Sequence, residues 1–303
     1  MSTPARRKLA LVFNPSAGAG RSARLLDFLL ERLDRFAEIS LHCTTEPADA
    51  TRWLADADLD GFDGVLAAGG DGTLFETVNG LFAQPSARRP ALGVIPIGTG
   101  NAFSRDLGLQ PGDWRAAVGL IENGRTRRFD VGCVQWASGE FYFLNIAGAG
   151  LPVDVMRIMA PYKHLGPSSY SLVTLWKALQ MKCYPLRITV DGRVIERECL
   201  FVEVSNTRYT GTSFMIAPAA KPDDGRLDVT LVGRLSRPRV LRLFPSVYKG
   251  RHVDFEEVEA VQGEEIRIES DGPLDLAADG ELQGATPAVI RCLPRSLEVF
   301  ASP

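Results

Sequence analysis

Apolar runs that lead into glycine-bearing loops punctuate the first third of the chain. Lys8-Leu9-Ala10-Leu11-Val12-Phe13, Val65-Leu66-Ala67 and Leu92-Gly93-Val94-Ile95 each read as a buried strand. Between the first two, Leu25, Leu26, Leu29, Leu30 and Leu33 repeat at helical spacing over 22–36, and Ile39 to Cys43 is a short strand. Thr44-Thr45-Glu46-Pro47 then opens a helix carrying Trp53 and Leu54, with Thr45 as its N-cap and Pro47 in its first turn. This repeated β-α order predicts a doubly wound parallel sheet in an α/β domain over residues 1–130.

From Asp130 the pattern changes to alternation. Arg187-Ile188-Thr189-Val190, an Asp191-Gly192 turn and Val194-Ile195-Glu196 predict a hairpin. Leu200 to Val204, Leu227 to Val232 and Glu265 to Ile268 add strands, so residues 131–288 read as a mainly antiparallel β-sandwich domain. Met156 to Met181 is the main helical part of this half.

Composition narrows the class without naming a reaction. With 45% apolar and 23% charged residues over 303 positions, the chain is expected to be globular and two-domain. Lys and Arg number 34 against 37 Asp and Glu, and a net charge of −3 gives no field for nucleic acid. Cys43, Cys133, Cys183, Cys199 and Cys292 are odd in number and spread out, which predicts reduced thiols and a cytoplasmic setting. Arg6-Arg7-Lys8 before the first apolar run imitates a secretory leader, but Asn14-Pro15 ends that run too soon. No segment approaches the roughly 20 apolar residues of a membrane span. His42, His164 and His252 show no ligand spacing, so packing or surface roles are expected for them.

The loops after the three strands carry the candidate chemistry. Gly69-Gly70-Asp71-Gly72-Thr73 follows a strand and opens a helix, and Thr73 and Glu76 stand at capping-box spacing. Such glycines let backbone amides approach a phosphate, and the helix start adds free N–H groups and partial positive charge. Asp71 would repel phosphate, so it suggests a metal ion or a proton to be removed. A tight turn is the plain alternative for one such loop. Asn14-Pro15-Ser16-Ala17-Gly18 and Gly98-Thr99-Gly100-Asn101 supply two more, and three loops at the carboxyl ends of parallel strands make a ligand site.

These motifs, with Ser205-Asn206, Ala217-Pro218, Asp223-Asp224-Gly225-Arg226-Leu227-Asp228 and Asp279-Gly280-Glu281, resemble the diacylglycerol kinase catalytic-domain superfamily of lipid kinases. Phe75, where bacterial lipid kinases usually carry Asn, and Ala102, where many carry Asp, are departures, and the Asn101-Ala102 pair is closer to the sphingosine and ceramide kinase branch. The resemblance implies an ATP- and Mg²⁺-dependent kinase that phosphorylates a hydroxyl of a diacylglycerol-like or sphingoid lipid, reached by peripheral contact with the membrane. It places nucleotide contacts at Asn14, Thr44, Gly70, Asp71, Gly72, Thr73, Glu76, Thr99 and Asn101. Glu281 is implied as the general base, with Asp279 a second carboxylate and Asp71 the rival base. A structural Mg²⁺ is implied at the Asp224 carboxylate and the carbonyls of Lys221 and Arg226. The same resemblance returns the last strand, about 289–303, to the first domain and borders the lipid cleft with the 156–181 helical stretch, for which ordinary packing on the β domain is the plain alternative. An NAD kinase-like enzyme and a non-catalytic lipid or nucleotide sensor are the rival functions, and homodimerisation stays open.

Overall fold

The computed structural model describes residues 6–20, 22–84, 89–110, 112–159, 167–211 and 213–302, with backbone alone at 19 and 167–169. The chain divides into two compact units, Met1–Phe129 with Arg295–Pro303, and Asp130–Pro294.

In the first unit β1 (Arg7–Phe13), β2 (Ala37–Cys43), β3 (Gly64–Gly69) and β4 (Ala91–Pro96) form a parallel sheet in the order β2-β1-β3-β4. The end of a late strand, Ala288–Phe300, lies parallel to β4 with Val299 opposite Leu92. β3 and β4 are buried along their whole length, as expected for strands covered on both faces. Leu11, Phe13, Leu29, Leu33, Leu66 and Ile121 belong to the core on one side.

The helices depart from the sequence expectation at their ends. Over 22–36 the chain makes a 3₁₀ turn and then α1 (Leu26–Leu33). α2 (Asp49–Asp56) starts beyond Pro47 and has Ala48, not Thr45, at its N-cap, while the Thr45 N–H and hydroxyl donate to the Asp49 carboxylate. α3 (Asp71–Ala83) begins after Gly70, two residues before Thr73, so Thr73 and Glu76 form no capping box. Glu76 instead accepts from the Ala48 and Ala50 N–H groups and caps α2. α4 (Ala102–Asp106) and α5 (Trp114–Asn123) follow β4.

The second unit is built on antiparallel pairs. β5 (Thr126–Trp136) leads into it and pairs with β6 (Gly139–Phe143). β7 (Ile146–Gly150) precedes α6 (Leu151–Met159) and α7 (Pro167–Ala178). The helical stretch expected over 156–181 is therefore two helices starting at Leu151, and His164 and its neighbours at 160–166 lie outside the described residues. β8 (Tyr184–Val190) and β9 (Arg193–Ser205) form the predicted hairpin, with Asp191 and Gly192 both at positive φ. The segments expected at 194–196 and 200–204 are one strand, which pairs first with β8 and then with β7 and β12 (Leu227–Gly233).

The short pair β10 (Tyr209–Thr210) and β11 (Phe214–Met215) precedes β12. α8 (Arg237–Val247), absent from the sequence reading, follows it. Then come β13 (Val258–Gly263), β14 (Glu265–Ser270), β15 (Asp275–Ala278), β16 (Glu281–Ala285) and the late strand, β17. Among the described residues no helix is long and apolar enough to cross a membrane.

Candidate functional site

β1 has β2 on one side and β3 on the other, so chain order reverses beside it and leaves a crevice at the strand ends. Asn14 sits there. Its N–H donates to the Ala68 carbonyl (2.9 Å), its carboxamide donates to Thr73 Oγ1 (3.0 Å), and its Oδ1 accepts from Ser16 N–H (2.9 Å). The first loop is thereby tied to the first turn of α3. Ser22, which sequence reasoning missed, is buried and directs its hydroxyl at the carbonyls of Asn14, Pro15 and Ala17.

The three loops are joined by contacts that only glycine allows. A Cβ on Gly98 would lie 2.3 Å from Gly70 Cα, and one on Gly18 would lie 2.8 Å from the Ile97 carbonyl oxygen. Gly98 N–H donates to the Gly69 carbonyl (2.9 Å), and Asp71 Oδ1 accepts from Ala102 N–H (2.7 Å). Asn101, at φ 55°, donates to the Gly98 carbonyl (2.7 Å) and closes its own loop. No side chain caps α3, whose first-turn N–H groups, those of Gly72 and Thr73 among them, point along the axis toward the loop. That is the geometry of an anion cradle.

The other nucleotide candidates occupy different surroundings. Thr44 follows the last residue of β2, its N–H donating to the carbonyl of Phe13 at the end of β1 (2.9 Å). Thr99 is exposed at the loop tip. Glu76 is committed to the α2 N-terminus, which makes it a support for the helix beneath the loop.

In the second unit Asp279 and Gly280 form the two-residue turn between β15 and β16, with φ of 46° and 92°. Asp279 is buried, and its carboxylate accepts from the N–H groups of Leu144 (2.9 Å), Asn145 (3.0 Å) and Ile146 (2.9 Å). Burial pushes its pKa up to about 6, and those hydrogen bonds hold it from rising further. The carboxylate expected beside Glu281 is thus spent on fixing the turn. Glu281, the first residue of β16, is half-buried and pairs with Ala278.

Lys221, Asp224 and Arg226 share one turn. Asp224 Oδ1 accepts from Arg226 N–H (3.0 Å), and the buried Asp130 accepts from Gly225 N–H (2.7 Å) and donates its own N–H to the Pro222 carbonyl (2.7 Å). Asp130, a residue missed from sequence, and Asp224 both raise the nearby Cys292 thiol, which burial pushes up to about 12. A hard cation takes oxygen donors, and this turn brings the Asp130 and Asp224 carboxylates and the Pro222 carbonyl into one segment. All five cysteines are unpaired.

A second group missed from sequence lies around β9. Asn206 donates to the Asp130 and Leu144 carbonyls (both 2.9 Å), bracing the segment that Asp279 holds. Glu203 is 5% exposed, and its Oε2 is buried without a partner. Burial alone pushes its pKa up to about 8.

Two family profiles cover this chain: the diacylglycerol kinase catalytic domain matches residues 8–134, and the YegS C-terminal NAD kinase beta sandwich-like domain matches 145–301. A diacylglycerol kinase of Bacillus subtilis (strain 168) is 30% identical over 97% of this chain and 96% of its own length. One from Staphylococcus aureus (strain MRSA252) is 33% identical over 98% and 93%. A crystal structure of a diacylglycerol kinase from Bacillus anthracis str. Sterne, 27% identical, superposes with a TM-score of 0.75 over 100% of this chain and 99% of that one. An NAD kinase from Archaeoglobus fulgidus in complex with ATP, 16% identical, shares the fold at a TM-score of 0.53 over 97% and 93%. With its parallel α/β domain followed by an antiparallel sandwich-like one, the chain belongs to the diacylglycerol kinase family and is a lipid kinase.

Proposed function

We propose that the protein transfers the γ-phosphoryl group of ATP to a free hydroxyl of a diacylglycerol-like or sphingoid lipid. The observation that carries the nucleotide half is the locking of three glycine loops at the ends of β1, β3 and β4 around the open N-terminus of α3. The N–H groups of Gly70, Gly72 and Thr73 bind phosphate oxygens, and the Thr99 hydroxyl adds a donor. Thr44, Asn14 and Asn101 complete the nucleotide surroundings, the last two by holding loop shape. Asp71 accepts from Ala102 N–H through Oδ1, and its carboxylate would hold the Mg²⁺ that neutralises phosphate charge when bound. Glu281 takes the proton of the acceptor hydroxyl as its oxygen bonds to phosphorus and the bond to the ADP oxygen breaks, while Asp279 positions the turn that carries it. The acceptor, being a lipid, is met by peripheral contact with a bilayer.

Labelled ATP with Mg²⁺ and a panel of lipids in mixed micelles tests this reading. A phosphorylated lipid bearing a former free hydroxyl is expected. Phosphorylated NAD with no lipid product overturns it.

Two variants probe the supports. Gly98→Ala puts a Cβ against the Gly70 backbone, which cannot swing aside as a side chain would, so the loops must part. Overpacking of this kind costs about 1–3 kcal/mol. ATP affinity by calorimetry is expected to fall by roughly tenfold or more, the equivalent of 1.4 kcal/mol and upward. Unchanged affinity would mean that the loop contact is dispensable.

We further assign the Asp224 turn a structural Mg²⁺, held by that carboxylate and the Lys221 and Arg226 carbonyls. Asp224→Ala is then expected to abolish the rise in thermal midpoint that Mg²⁺ gives the parent. A Mg²⁺ titration with identical midpoints for both proteins would leave only a turn.

A further inference from the structure

α8 has two chemically different faces. Val240, Leu243 and Val247 point into the second unit's core, where helical spacing puts them on one side. At the same spacing the opposite side carries Arg237, Leu241, Arg242 and Pro245, all exposed. Leu241 is 54% exposed between two arginines, a position that core packing does not explain. From 237 to 251 the chain holds five basic residues and no acidic one, against a net charge of −3 overall. Arg239 is paired with Glu257 (2.6 Å) and lies over the Phe255 ring. Arg237, Arg242, Lys249 and Arg251 make no ion pair among the described residues.

α7 packs beside α8, with the Tyr248 hydroxyl donating to Ser171 Oγ (2.8 Å). It leaves Leu172 68% and Trp176 55% exposed, with the Lys177 ammonium 5.8 Å from the Trp176 ring centre. Unpaired cations interleaved with exposed leucine and tryptophan suit an anionic bilayer surface, where apolar side chains enter the headgroup boundary and cations stay at the phosphates. A nucleic acid would use the cations and leave the leucines in water.

We infer that the outer face of α8, flanked by α7, is the surface by which this protein docks on membranes rich in anionic phospholipid. The inference rests on the lipid-acceptor reading for its purpose but not for its test. Docking would hold the enzyme where its acceptor is dispersed, while the charge on α8 leaves the chemistry of transfer untouched.

The experiment is cosedimentation of the full chain with vesicles of phosphatidylcholine alone or with roughly one third phosphatidylglycerol, an anionic surface on which each basic residue contributes roughly fivefold in affinity. Binding to the anionic vesicles only is expected. It should vanish near 1 M salt, where the screening length is about 3 Å. The triple variant R237Q/R242Q/K249Q should lose roughly 100-fold in binding, three such factors. Leu241→Gln should weaken binding with no change in charge. Both variants should phosphorylate lipid in nonionic micelles at the parental rate. Parental binding by the triple variant, or binding indifferent to salt, overturns the inference. A parent that phosphorylates no lipid in micelles yet binds vesicles through these cations refutes the acceptor reading and supports the docking face.

Discussion

Glu281→Gln slows lipid phosphorylation by roughly 10²- to 10⁴-fold, the range for a lost general base, and leaves ATP affinity close to parental. That is about 3–5 kcal/mol of barrier. Gln keeps the size of Glu281 and its backbone pairing with Ala278, so the β15–β16 turn held by Asp279 persists while the proton acceptor is gone. Asp71→Asn acts on the other substrate. An Asn oxygen can still accept from Ala102 N–H, so the loops stay joined, but the negative charge offered to Mg²⁺ is removed and ATP use falls for every lipid acceptor. Single-turnover phosphorylation and calorimetric ATP binding on both variants separate the two roles. Parental turnover in Glu281→Gln would make Asp71 the better base and Glu281 a turn residue.

Much of the nucleotide side was legible because it is local. Buried parallel strands are apolar along their length, and glycines mark where backbone meets backbone, so β1, β3, β4 and their loops could be read from sequence. Caps were less legible, since a carboxylate serves whichever N–H group the fold brings near. Glu76 sits at capping-box distance from Thr73 and yet caps α2, 26 to 28 residues away in the chain. Asp279 shows the same limit. Asp-Gly announces a hairpin, but nothing nearby announces that the carboxylate meets amides at 144–146, more than 130 residues back. α8 escaped because its arginines and Pro245 outweigh a narrow apolar stripe. The helical stretch read from Met156 starts five residues earlier, at Leu151, where Leu151, Val153 and Val155 alternate and hide the helical period.

The second large effect concerns Glu203, a carboxyl with no reason for its place in the core visible from sequence. It faces Gly148 on β7 and Thr230 on β12, and a Cβ on Gly148 would lie 2.9 Å from its Cγ. The missing side chain at Gly148 gives the acid room without giving it a partner. Burial raises its pKa from the ordinary 4.5 to about 8, and no neighbouring cation opposes the shift. A raised folded-state pKa means that the folded chain holds the proton more tightly than the unfolded one. The stability it confers is complete below about pH 4.5 and is lost as pH climbs through about 8. Over that window the loss reaches about 3–5 kcal/mol, at 1.36 kcal/mol per unit. Glu203→Gln keeps the shape and removes the titration. The variant should therefore match the parent near pH 4.5 and exceed it by that amount above pH 8, a difference of order 10 °C in midpoint for a unit of this size. Urea unfolding of both proteins across this range is the measurement. Parallel pH profiles would mean that Glu203 ionises without penalty, through water or a partner that reaches its second oxygen.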